Sequence, residues 1–249
     1  MNEKRNIRLI LEYDGGAYHG WQRQKKDLTI QEVLEDRIQI MVGERVTLLG
    51  SGRTDAGVHA LYQVCNYFTS SNIDPESMRR GLNSLLPDDI YIKQAEYMHN
   101  DFHSRYSAKS KTYEYRILNR FEPDIFLRRV TWHVRRELDH AIMRKCMSML
   151  LGKNDFAAFR STGSENRTTI KELTRSELHG PDRDGILCFL LEANGFLRHM
   201  VRNIVGTVVE VGKGRWSLDE FEEIFRSRDR CRAGIKAPCQ GLFLKDVVY

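Results

Sequence analysis

One carboxylate stands out for the company it keeps. Asp55 lies in the run Gly50-Ser51-Gly52-Arg53-Thr54-Asp55-Ala56-Gly57-Val58-His59, entered from the apolar pair Leu48-Leu49. An ionised carboxylate works as a nucleophile or as a base, provided the chain aims it and nearby charge keeps it ionised. Arg53 lies two residues before it and His59 four after. The glycines at 50, 52 and 57 permit backbone conformations and close approaches that other residues resist. The alternative is an aspartate that caps its own turn, the commonest use of a loop aspartate.

Two further sets of residues have types suited to the same chemistry. Arg198 and Arg202, four apart, border the apolar run Leu197, Met200, Val201, Ile204, Val205 and Val208. As surface residues they lay their stems over apolar neighbours; facing a cleft, one pairs with a carboxylate or phosphate. Tyr113 alternates with Tyr115 and Ile117 on one face of a strand, while Thr112, Glu114 and Arg116 take the other. Those rings pack a core or offer one ring for stacking on a base.

The elements that must position these groups follow from the pattern of the chain. Ile7, Leu9, Leu11 and Tyr13 alternate as a strand. Thr29 and Glu32 read as a capping box for a helix that Gly43 ends, and short strands follow at 46–49 and 63–68. Asp74-Pro75 opens a second helix, Pro87 stops it, and 90–98 is a strand. From Lys111 the order repeats: strand 111–118, helix 138–151, strands 170–178 and 186–192, helix 197–211, a helix capped by Ser217 and Glu220, and a last strand at 242–248. Strand-helix-strand-strand-helix-strand is the split β-α-β order of ferredoxin-like folds. The expectation is an α+β protein of two such halves, 1–105 and 106–249.

Composition narrows the function class. The 249 residues are 41% hydrophobic and 29% charged, with a net charge of +5. No apolar run reaches membrane-spanning length. The start of the chain carries no signal-like apolar region, so a cytoplasmic location is expected. Cys65, Cys146, Cys188, Cys231 and Cys239 are odd in number and never at C-x-x-C spacing, which reads as reduced thiols and not as a disulfide or zinc framework. The histidines lack metal-ligand spacing, and no glycine-rich nucleotide motif is present; no metal and no cofactor are expected. Arg105, Lys109, Lys111, Arg116, Arg120, Arg128 and Arg129 are interleaved with Phe102, Tyr106, Tyr113 and Phe126. Such a stretch is a solvated face or a surface for single-stranded or looped RNA.

Five stretches together resemble the TruA-type tRNA pseudouridine synthases. They are Tyr13-Asp14-Gly15-Gly16-Ala17-Tyr18-His19-Gly20-Trp21-Gln22-Arg23-Gln24; Gly52 to His59; Asp101 to Ala108 followed by Tyr113-Glu114-Tyr115; Asn194 to Gly206; and Ala237-Pro238 followed by Gly241-Leu242-Phe243-Leu244. Cys239-Gln240 and Phe243 are minor departures. The resemblance implies two ferredoxin-like halves joined into an extended, mainly antiparallel sheet, with helices on one side and a central RNA-binding cleft. It implies a homodimer that needs no cofactor and converts uridine to pseudouridine at positions 38–40 of the tRNA anticodon arm. It makes Asp55 the essential aspartate, Tyr113 the ring that stacks on the target base, and Arg202 the partner of the aspartate. It implies that Arg53 helps hold the nucleotide out of its stack and that Leu242 or its neighbours form an apolar wall; His59 after the Asp55 loop and Arg198 ahead of Arg202 are further candidate substrate-binding residues. Ribosomal or other structured RNA as the target, and a non-catalytic RNA-binding module, are the competing readings.

Overall fold

The structure, a computed structural model, describes residues 4–161 and 168–249. Among these residues the fold is α+β, with ten strands and five helices. The chain divides into two compact units, Met1–Lys109 with Leu244–Tyr249, and Ser110–Phe243.

The first unit is built on β1 (Arg5–Tyr13), α1 (Ile30–Val42), β2 (Leu49–Gly50), β3 (His59–Thr69), α2 (Pro75–Leu85) and β4 (Ile90–Met98). β1 lies between β4 and β3 and is antiparallel to both, and β2 is antiparallel to β3. That is the strand order of a ferredoxin-like half. Local signals explain the helices. Asp74 accepts the amide of Ser77 at 3.0 Å ahead of Pro75, and Gly43 closes α1 in the left-handed region at φ 73°. Only half of the expected capping box forms on α1: the Thr29 hydroxyl accepts from the Glu32 amide at 3.4 Å. The strand expected at 46–49 shrinks to Leu49–Gly50, and β3 begins earlier than the apolar pattern suggests, at His59.

In the second unit β5 (Ser110–Leu118) is followed by the two-residue β6 (Trp132–His133), α3 (His140–Met149), β7 (Gly152–Asp155), β8 (Ile170–His179), β9 (Ile186–Ala193), α4 (Met200–Gly212) and α5 (Leu218–Ser227). β9 is antiparallel to β5 and to β8, β7 is antiparallel to β8, and β6 runs parallel to β5. Asp139 caps α3 by accepting the amides of Ala141 and Ile142. Ser217 and Glu220 make the full reciprocal box on α5. The apolar stripe expected on α4 is an incomplete description, because all of its residues are buried.

The closing strand β10 (Leu242–Val248) is split between the units, and the division differs from 1–105 and 106–249 in where it leaves the end of the chain. The reason is specific bonding. The Lys109 amide donates to the Val248 carbonyl at 2.8 Å. The Tyr249 hydroxyl donates to the Ser104 carbonyl at 2.7 Å, and its ring packs 5.1 Å from Phe102.

Candidate active site

Asp55 lies in the loop joining β2 to β3 and is half-buried. The loop is held by backbone bonds to the segment that follows β1. The Trp21 amide donates to Thr54 O, the Gly57 amide to Tyr18 O, and the Val58 amide closes a turn on the carbonyl of Asp55 itself, each at 3.1 Å. Gly20, at φ 92°, passes so close that a side chain there would stand 2.5 Å from the Thr54 carbonyl oxygen. The glycines near Asp55 therefore serve the protein's own packing. Gly57 takes a left-handed turn conformation, and the space beside Gly50 is filled by the Trp21 indole.

A buried polar network braces the loop from below. The Ser51 hydroxyl donates to Gln63 Oε1 at 2.7 Å, and Gln63 Nε2 donates to the Gly52 carbonyl at 3.0 Å. Tyr13 and Thr54 hydroxyls share a hydrogen bond of 2.8 Å. Burial pushes the Tyr13 phenol far above its ordinary range, so it stays neutral. Ser51, Gly52 and Thr54 are thus all held from strand residues, leaving Asp55 flanked by fixed backbone. Thr54→Val keeps the shape and removes the hydroxyl, leaving the Tyr13 phenol only the long 3.5 Å contact to Gln63. The expected cost is about 1–3 kcal/mol, with a lower rate, while Thr54→Ser retains both. Thermal unfolding and single-turnover rates of the two variants check this.

Arg53 is exposed, and its Nε donates to Gln22 Oε1 at 3.2 Å, which ties it to the same post-β1 segment. His59 is only 2% exposed. Its Nδ1 lies 3.1 Å from the Gly15 amide and 3.0 Å from Asp14 Oδ1, which ties the imidazole to the start of the post-β1 segment.

In the second unit, Tyr113 on β5 is 8% exposed and meets the Phe196 ring edge-on at 4.9 Å. Arg202, also 8% exposed, sits in the first turn of α4 and is clamped by a reciprocal pair of bonds: its Nε donates to Ala237 O at 2.8 Å, and the Ala237 amide donates to Arg202 O at 3.0 Å. Next to this clamp the Tyr115 hydroxyl donates to Pro238 O at 2.7 Å. The Ala237-Pro238 pair therefore anchors Arg202 to β5. Asn203 repeats the arrangement on the other side, donating to Phe159 O at 2.8 Å and accepting from Arg230.

Arg198 departs from the expected helix. His199 takes a left-handed conformation at φ 62° and is the residue before the first turn, so α4 starts at Met200 and Arg198 lies exposed in the turn ahead of it. Arg198 and Arg202 do not share a helix. Leu242 is buried at the head of β10. Among the described residues no group of His, Cys, Asp or Glu is placed to hold a metal ion.

The sequence reading missed the supporting residues. Asn6 donates to His99 O and Phe102 O, both at 2.9 Å, and accepts from Asn66, while Asn66 accepts the Ser104 amide at 2.9 Å. Asn66 carries one signal, a polar side chain between the apolar Cys65 and Tyr67 of a strand; Asn6, which follows Arg5, carries none.

The profile of a family described as tRNA pseudouridine synthase matches residues 9–107 and 146–249. The chain belongs to that family. It is 47% identical over 245 residues to the tRNA pseudouridine synthase A of Acetivibrio thermocellus, covering 98% of this chain and 100% of the relative. Proteins of the same name from Thermoanaerobacter sp. (strain X514) and from Clostridium botulinum (strain Eklund 17B / Type B) are 46% and 43% identical with the same coverage. The family's enzymes are isomerases, and its matched segments take in the Asp55 loop, the 101–107 segment, α4 and the Ala237-Pro238 clamp. Among the described residues no helix is long and apolar enough to cross a membrane.

Proposed function

We propose that this chain isomerises uridine to pseudouridine in the anticodon stem-loop of tRNA, at positions 38–40, acting in the cytoplasm as a homodimer. The observation that carries the reading is the placement of Asp55: a half-buried carboxylate on a loop braced from both sides, in a chain of a pseudouridine synthase family.

The chemistry assigns a role to each residue. A stacked uridine cannot bring its ribose to a carboxylate set in a loop, so the nucleotide leaves its stack. The C1′–N1 bond breaks, the uracil turns, and C5 bonds to C1′; C5 loses a proton and N1 gains one, so the product is an isomer. Asp55 acts on the sugar as nucleophile or base. Tyr113 takes the base against its ring, with Phe196 holding that ring edge-on. Arg202, immobilised on the Ala237 carbonyl, supplies fixed positive charge to the reacting groups. Arg53 steadies the displaced nucleotide, Leu242 lends an apolar surface, and every step is assigned to side chains without a metal or cofactor.

The test is site-resolved pseudouridine mapping after incubating purified protein with tRNA transcripts and, separately, with ribosomal RNA fragments. Modification of the tRNA anticodon arm is expected. Modification of ribosomal RNA alone reassigns the target, and binding of both without product reassigns the chain as a binding module. Sedimentation of the free protein checks the dimer.

A further inference from the structure

The segment between β4 and β5 presents three side chains to which the proposed reaction assigns no role. Tyr106 is 76% exposed. Its ring lies 4.3 Å from that of His103, centroid to centroid, and the Arg105 guanidinium carbon is 5.8 Å from its centre. Arg105 is exposed and has no carboxylate partner among the described residues. An exposed tyrosine alone is unremarkable on a protein surface. The setting of this one is unusual.

The loop under the trio is held by a dense set of hydrogen bonds. Ser104, between His103 and Arg105, is fully buried. Its amide donates to Asn66 Oδ1, its carbonyl accepts from Tyr249, and its hydroxyl donates to the carbonyl of Leu49, the strand residue that leads into the Asp55 loop. The Ser107 amide donates to His103 O at 2.9 Å, the His103 amide to Ser107 Oγ at 3.1 Å, and the Arg105 amide to His103 Nδ1 at 3.1 Å. These bonds fix the backbone that carries the exposed Arg105 and Tyr106, and the half-buried imidazole of His103 beside them. Ordering such groups before contact removes the conformational cost of binding.

The composition of the patch selects the partner. A protein interface core is depleted of Asp, Ser and Lys, and here the exposed neighbours are Asp101, Ser107 and Lys109. One largely exposed aromatic ring beside a guanidinium without a carboxylate partner among the described residues suits an unpaired base with its phosphate: every base offers a face to stack, and each phosphate takes one guanidinium. We propose that His103, Arg105 and Tyr106 form a second RNA contact on the substrate, with an unpaired base stacked on Tyr106 and Arg105 on an adjacent phosphate. The proposal rests on the reading of this chain as an RNA-modifying isomerase and adds a binding subsite to it.

Binding of an anticodon stem-loop RNA, followed by fluorescence anisotropy on the full chain, tests it. Tyr106→Ala is expected to weaken binding about 5- to 100-fold, the range for losing one stacked base, and to raise KM by the same factor with kcat unchanged. Tyr106→Phe keeps wild-type affinity. Arg105→Gln weakens binding and lowers the slope of log K against log salt by about 0.7–0.9, one phosphate contact. Thermal unfolding of the Tyr106 variants stays at the wild-type value, because the side chain is in water. Wild-type affinity in Tyr106→Ala overturns the proposal, as does a Tyr106→Ala protein that loses self-association in sedimentation, which gives the face to a second copy of the chain. If the wild type binds the RNA through this patch and makes no pseudouridine, the reading of the reaction fails and the contact stands.

Discussion

Asp55→Ala is expected to lower the single-turnover rate of isomerisation by about 10⁴-fold or more, while the protein stays folded and binds RNA. Losses of that order follow removal of a group that forms or breaks the reacting bond. Folding survives because the loop is held by backbone and by its neighbours: Thr54 O, Tyr18 O, the Tyr13–Thr54 pair and the Gln63 brace are untouched by truncating residue 55. Asp55→Asn keeps the shape and removes the charge, and is expected to fail equally. Asp55→Glu keeps the charge and moves it outward by one methylene on a loop whose backbone has no freedom to compensate; misplacement by about 1 Å costs about 100-fold. The order wild type, Glu, then Asn with Ala is the signature of a positioned carboxylate. Rates read by pseudouridine-specific chemistry, with anisotropy to confirm RNA binding, give it directly.

Gly15→Ala is expected to be strongly damaging, and Gly16→Ala nearly silent. The two glycines are adjacent in a short turn after β1, and sequence reading treats them alike. The structure separates them. A Cβ on Gly15 would lie 2.0 Å from the carbonyl oxygen of Val58 and 2.6 Å from its carbon, both backbone atoms of the Asp55 loop. One on Gly16 would meet only the Asp14 carboxylate, at 3.0 Å. The first contact can be relieved only by moving Val58 away, which also pulls Gly15 from His59 Nδ1. The expected cost is about 3 kcal/mol, at the upper end for overpacking, or a fall in Tm of about 6–12 °C for a chain of this size. Because Val58 moves with the turn that Asp55 closes, the rate falls with it. Differential scanning calorimetry and single-turnover assays on the pair test this, and equal behaviour of the two variants would contradict the packing described.

Much of the fold was legible because its boundaries are chemical. Asp74-Pro75 at α2, Ser217 with Glu220 at α5 and Gly43 after α1 each satisfy or end a helix through a local bond. Where position depends on distant backbone, local pattern misled. The run from Leu197 has helical spacing, but His199 turns left-handed, so Arg198 falls outside α4. The split of β10 follows from Lys109 and Ser104 bonding to the chain end, pairings across more than a hundred residues that no window contains.

The same division runs through the site. Asp55, Tyr113 and Arg202 could be singled out because their types suit the chemistry and their motifs resemble one family. The groups that hold them could not. Gln63 and Asn66 look like interruptions of a strand until the register of β3 against β1 sets Tyr13 and Asn6 within reach. The neighbours of His59 could not be read from the motif either: Asp14 and Gly15 lie 3.0 and 3.1 Å from its Nδ1. Ala237-Pro238 was recognisable as a motif without a purpose, and its purpose is two carbonyls, one for Arg202 and one for Tyr115.

In the proposed reaction the loop aims Asp55 at the sugar of a uridine taken out of its stack. A structure of the Asp55→Asn protein bound to an anticodon stem-loop RNA tests it most directly, since the amide keeps the shape of the site and stops turnover. The target uridine is expected unstacked, with its C1′ against the residue 55 side chain and its base against Tyr113. A target uridine that stays within the stem-loop stack, or whose ribose lies away from residue 55, would contradict it.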